Sequence, residues 1–126
     1  MRLWHQALIP KLPRAQLLGQ HREICALRGN GWGKKHSTVD YVFIHPMEYL
    51  IAYHSLVMNE MIRRGYNVDK IWFDAAYRGK TCQLHDIIDF ELICIIVRKN
   101  PIYPEHNDEY LWECIENLKK KGVEIE

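Results

Sequence analysis

Three stretches of this 126-residue chain carry helix start and stop signals at both ends, and they constrain the fold more than any other feature. The first runs from about Pro13 to Arg28. Pro13 suits a first helical position, where its missing N–H costs nothing. Leu17, Leu18, His21, Ile24, Cys25 and Arg28 recur at spacings of three and four and share one side, and Gly29 ends the run. The second runs from about Pro46 to Arg64. Leu50, Tyr53, His54, Val57, Met58 and Met61 form its stripe, and Gly65 and Asn67 close it. The third runs from about Asp108 to Lys121. Asn107 stands as N-cap, and Asp108 and Glu109 match the positive end of the helix dipole. Tyr110, Leu111, Cys114, Ile115 and Leu118 face inward, and Gly122 closes it.

These frames predict a mainly α fold: one compact domain over residues 1–126, with three principal helices and irregular connections. Residues 39–44 read as extended. Residues 90–97 are apolar and β-branched, and form either a short buried strand or a buried helix, which periodicity does not separate. Asn100-Pro101 and Tyr103-Pro104 enforce an extended approach to the third helix.

The longest apolar run, Leu92 to Val97, falls far short of the roughly 20 residues of a membrane helix. The opening Met-Arg-Leu-Trp-His-Gln lacks the apolar stretch of a signal peptide, so a cytoplasmic location is expected. Cys25, Cys82, Cys94 and Cys114 form no C-x-x-C pair and read as buried thiols. No membrane, protein partner or cofactor is implied.

The net charge of +1 hides an asymmetry. Residues 1–37 carry +6, residues 38–104 carry −1 and residues 105–126 carry −4. A basic N-terminal third can meet a polyanion while the acidic tail faces away, or folding can mix these charges into an even surface.

Glu23 is the one acid in those first 37 residues, beside Arg22 and near Arg14, Arg28 and Lys34-Lys35. Ala15, Gly19 and Ala26 lie about one turn from it or from one another. They leave open space for a substrate, or a surface for another helix. The loop Gly29-Asn30-Gly31-Trp32-Gly33-Lys34-Lys35-His36 mixes flexible backbone, an aromatic ring and cations. It can follow a phosphate backbone with Trp32 stacked on a base, or be a turn with Trp32 folded onto the core. The seven histidines show no H-E-x-x-H and no common zinc spacing, so no metal is assigned. His21 and His54, on apolar helix faces, read as hydrogen-bonded core residues. No serine stands in an elbow-like context, which leaves no visible catalytic triad.

Leu8, Leu12, Leu17, Arg22 and Glu23 fall, without a gap, at the distances from the start found in the pyrimidine-dimer DNA glycosylases of the endonuclease V type, which this chain resembles. His21-Arg22-Glu23 is similar to the family's Tyr-Arg-Glu. Gly33, His36, Val39, Tyr41 and Phe43 precede a helix containing Glu48-Tyr49-Leu50, and that helix ends Arg64-Gly65-Tyr66-Asn67-Val68, close to the family's Arg-Gly-Phe-Asn-Ile. Tyr77-Arg78-Gly79 resembles a Phe-Arg-Gly in the same relative place.

The resemblance implies a DNA-repair glycosylase with abasic-site lyase activity on damaged double-stranded DNA. Its nucleophile is the N-terminal α-amine, carried here by Met1 because methionine is retained before a residue as bulky as Arg2. The amine forms a Schiff base with the sugar, Glu23 assists proton transfer, and Arg22 holds phosphate. Arg2, Arg14, Arg22, Trp32, Lys34, Lys35 and His36 are the expected DNA contacts. Ala26 stands where the family has a second arginine, with Arg28 or Lys34 as replacement. The competing readings are a noncatalytic nucleic-acid-binding module on the same scaffold and a metal-dependent hydrolase built on a histidine cluster.

Overall fold

The computed structural model describes residues 2–34, 38–85 and 87–125. Its elements are a 3-10 turn at Gln6–Lys11, helix α1 at Arg14–Arg28, a 3-10 turn at Asp40–Ile44, helix α2 at Met47–Arg63, a 3-10 turn at Lys70–Phe73, helix α3 at Phe90–Ile96 and helix α4 at Asp108–Lys120. The fold is mainly α, with no strand among the described residues, and none of their helices is long and apolar enough to cross a membrane.

The three expected helices form within a residue or so of their predicted ends. Gly65 (φ +83°) closes α2 in the left-handed region, so that Tyr66 N–H reaches the Met61 carbonyl and Gly65 N–H that of Ile62. Gly122 (φ +82°) repeats this device after α4, and Asn107 caps its start by accepting from Tyr110 N–H. Gly29 acts differently: a Cβ there would lie 2.8 Å from the Arg78 carbonyl, so glycine is required by close approach.

Two expectations are corrected. Residues 39–44 are not extended. Val39 and Val42, both fully buried, lie three apart, and Val42 N–H bonds the Val39 carbonyl at 2.9 Å. Packing at that spacing overrides the β-propensity of the valines and aromatics. Residues 90–97 are neither strand nor deeply buried. Asp89 caps a short helix by accepting from Leu92 N–H, while Phe90 and Ile95 are exposed and Ile96 alone among α3 residues is buried. That makes four α-helices among the described residues rather than three.

One buried cluster draws residues from Leu3 to Leu118, including Leu17, Ile24, Leu50, Tyr53, Val57, Tyr103 and Cys114. Cys114 is the one buried cysteine of the four, since Cys25 and Cys82 are half-buried and Cys94 is exposed. His106 anchors the aromatic side of this core. Its Nδ1 accepts from Gln6 N–H at 3.1 Å, and its Nε2 lies 2.8 Å from the Tyr41 hydroxyl. A protonated ring would turn a second N–H against Gln6.

Burial, and then the neighbouring His5, push His106 from its ordinary 6.5 down to about 3. The unfolded chain therefore binds this proton below about 6.5 and the folded chain only near 3. Stability is full above that window and is lost as pH falls through it. His5, His21 and His54 are also lowered, chiefly by burial, and act in the same direction. Urea midpoints should fall steadily from pH 7 to pH 4, and less steeply in His106→Gln. Midpoints that stay level over that range would contradict this account.

Candidate nucleic-acid site

Glu23 shares one side of α1 with Gln20, three residues before it. Gln20 is almost fully buried, and its amide is used completely. Its Oε1 accepts from Trp4 N–H at 2.7 Å and from the Tyr53 hydroxyl at 3.2 Å. Its Nε2 donates to the Arg2 carbonyl at 2.9 Å and to Glu23 Oε2 at 3.2 Å. The one proton of the Tyr53 hydroxyl is shared between Gln20 Oε1 and the closer Trp4 carbonyl at 2.5 Å, and the Tyr110 hydroxyl donates to the carbonyl of Leu3. Buried polar groups from α1, α2 and α4 thus lay the segment Arg2–Trp4 against α1, next to the Glu23 carboxylate.

Beside it is a cleft of about 220 Å³ lined by Arg2, Trp4, Glu23, Thr38, Asn117 and Lys121. Lys121 places its ammonium 5.5 Å from the centre of the Trp4 ring. The walls are mostly polar, and the half-buried Glu23 carboxylate shares the cleft with Arg2 and Lys121. Such a cleft can hold a small polar group, favour positive charge forming on it and exchange protons with it.

The expected site residues are distributed unevenly. Arg22 is exposed and makes no side-chain hydrogen bond or ion pair among the described residues. Lys34 is exposed after the glycine loop. Arg14 lies 5.0 Å from the centre of the Tyr66 ring. Arg2 is turned to α4, 2.9 Å from Glu113 and 5.9 Å from the centre of the Tyr110 ring. Trp32 is half-buried, edge-on to Phe43 at 5.2 Å and against the core. Met1, Lys35 and His36 lie outside the described residues.

Arg28 is fully buried and therefore does not replace the arginine missing at Ala26. Its guanidinium donates to the carbonyls of Trp72, Asp74, Ala75 and Tyr77. Arg78 reaches back to the carbonyls of Arg28 and Gly29 at 2.7 and 3.0 Å. The two arginines clasp the end of α1 to residues 72–78.

The small residues by Glu23 are open: nothing described lies within 4 Å of a Cβ built on Gly19, and Ala15 and Ala26 are exposed. The C-terminal part meets the basic third at one point, where Glu113 of α4 pairs with Arg2, and Lys121 just after α4 lines the cleft. Gln20, Asn117, Thr38 and Lys121 were missed from sequence. A glutamine three residues after Leu17 and four before Ile24, both on the apolar stripe, was a usable signal for Gln20. Lys121 was hidden in a lysine run that served equally to match the helix dipole.

The model of the pyrimidine dimer DNA glycosylase family matches residues 1–74, more than half of the chain. The chain belongs to that family, and so to the DNA-repair glycosylases. The matched stretch includes Gln20, Arg22, Glu23 and the glycine loop, while Asn117 and Lys121 lie beyond it. No curated protein and no solved structure gives a match.

Proposed function

We propose that this protein is a DNA glycosylase with abasic-site lyase activity on damaged duplex DNA, its N-terminal α-amine the nucleophile and Glu23 the proton-transfer group. The observation that carries the reading is the Gln20 amide, which holds the Arg2 backbone and the Glu23 carboxylate through one nitrogen. One peptide link, about 3.8 Å between α-carbons, separates Arg2 from Met1.

An α-amine titrates near 7.7–8.0, so a useful fraction is neutral and nucleophilic at physiological pH. Its nitrogen bonds to the sugar C1′ as the glycosidic bond breaks and the base leaves with a proton from that nitrogen; the C1′–O4′ bond then opens, O4′ takes up a proton through Glu23, and a cationic Schiff base results. Glu23 stabilises that charge and moves protons. Flipping the damaged nucleotide exposes C1′, and damage lowers the cost of doing so. Arg22 holds phosphate. Lys121 is a second cation for the same strand.

The direct test incubates the protein with duplexes carrying a pyrimidine dimer or an abasic site in the presence of borohydride. A covalent adduct is expected, and its absence on both would leave the noncatalytic binding module as the better reading. Phosphate contact has its own readout. Arg22→Ala and Lys34→Ala should each reduce the slope of log affinity against log salt by about one unit. Both side chains are exposed, so thermal stability should stay unchanged. An unaltered slope would remove that residue from the interface.

A further inference from the structure

We propose that His21, Cys25 and His54 form a binding site for a thiophilic transition-metal ion of the zinc class. His21 and Cys25 stand one turn apart on α1, and His54 faces them from α2. His21 Nδ1 lies 2.8 Å from His54 Nε2, and Cys25 Sγ lies 4.0 and 3.9 Å from those two atoms. A triangle with those sides fits a circle of radius about 2.1 Å, which is the Zn–N distance and slightly inside the Zn–S distance of about 2.3 Å. An ion just off that plane reaches all three atoms once the nitrogens part by roughly half an ångström, and its fourth position stays open. His21 and Cys25 are half-buried, which gives the ion an entry path, while buried His54 fixes the inner side.

The surroundings set the proton balance. Arg28 Nη1 lies 2.9 Å from His54 Nδ1. A guanidinium only donates, so Nδ1 accepts and the His54 proton sits on Nε2, directed at the Nδ1 lone pair of His21. On metal uptake the His54 Nε2–H and Cys25 S–H bonds break, the metal–nitrogen and metal–sulfur bonds form, and two protons leave to solvent. His21 coordinates through the lone pair it already presents. His54 is then held as imidazolate, its charge matched by Arg28.

The trio lies on the side of α1 away from Glu23, and the proposal is independent of the glycosylase reading. Its test uses no DNA. Metal-free protein is titrated with Co(II) and then with Zn(II). One Co(II) per chain is expected, with a thiolate-to-cobalt charge-transfer band that Zn(II) abolishes. Cys25→Ser should remove the band. His21→Gln should weaken Zn(II) binding by more than the ~10–100-fold that loss of an outer hydrogen-bond partner costs. Circular dichroism checks that both variants fold. Should Cys25→Ser unfold, the Cys82→Ser/Cys94→Ser double variant must keep the band. No stoichiometric uptake, a band that survives Cys25→Ser, or a band lost in the double variant overturns the site.

Discussion

Glu23→Gln should lower glycosylase and lyase turnover by about 10²–10⁴-fold, the range a positioned proton-transfer group supplies. The amide keeps the shape of the carboxylate and still accepts the Gln20 N–H that Glu23 Oε2 accepts at 3.2 Å. The fold and the placement of Arg2 are therefore unaffected. What disappears is the charge that stabilises a cationic sugar and the base that moves its protons. DNA affinity should hold or rise, because a negative charge leaves a cleft that also contains Lys121. Single-turnover cleavage and a binding isotherm on the same duplex separate the two effects. Full turnover in the variant would remove Glu23 from the chemistry.

Arg28→Ala should cost about 1–3 kcal/mol of stability, the range for leaving buried polar partners without their donor. The carbonyls of Trp72, Asp74, Ala75 and Tyr77 lose this donor; Asp74 keeps Tyr77 N–H at 3.0 Å, while the buried Ala75 carbonyl is the expensive one to leave unpaired. Burial lowers Arg28 to about 10, so the group is still charged at neutral pH. Its positive charge also sits 5.2 Å from the centre of the Trp72 ring. Arg28→Lys should recover less than half of the loss, since one ammonium lacks the planar fork that spans those carbonyls. Urea unfolding measures both variants. A loss under about 1 kcal/mol for Arg28→Ala would show that residues 72–77 hold their conformation unaided.

The helices were legible because each has local causes within its own sequence: a stripe at three and four, a capping residue and a closing glycine. Residues 39–44 and 90–97 were not, because their form is set by partners far along the chain. Val39 and Val42 turn inward onto a core built mostly by other elements, and Phe90 and Ile95 stay exposed where composition suggested burial. Glu23 stood out as an acid among cations, and Arg22 beside it is exposed. Arg28 falls on the apolar side of the first helix and also reads as a phosphate contact, and nothing local marks it as the donor to carbonyls more than forty residues away. His21 and Cys25 showed a one-turn spacing, but the third member of their cluster lies on another helix.

The central claim is that the N-terminal amine acts beside Glu23, and borohydride trapping with the α-amine selectively blocked tests it most directly. Unblocked protein should form a covalent adduct with abasic-site DNA. Blocked protein should form none while keeping its circular dichroism spectrum and its affinity for the same duplex. An adduct that persists after blocking would contradict the claim and assign the nucleophile to a lysine, with Lys121 in the Glu23 cleft the first to replace.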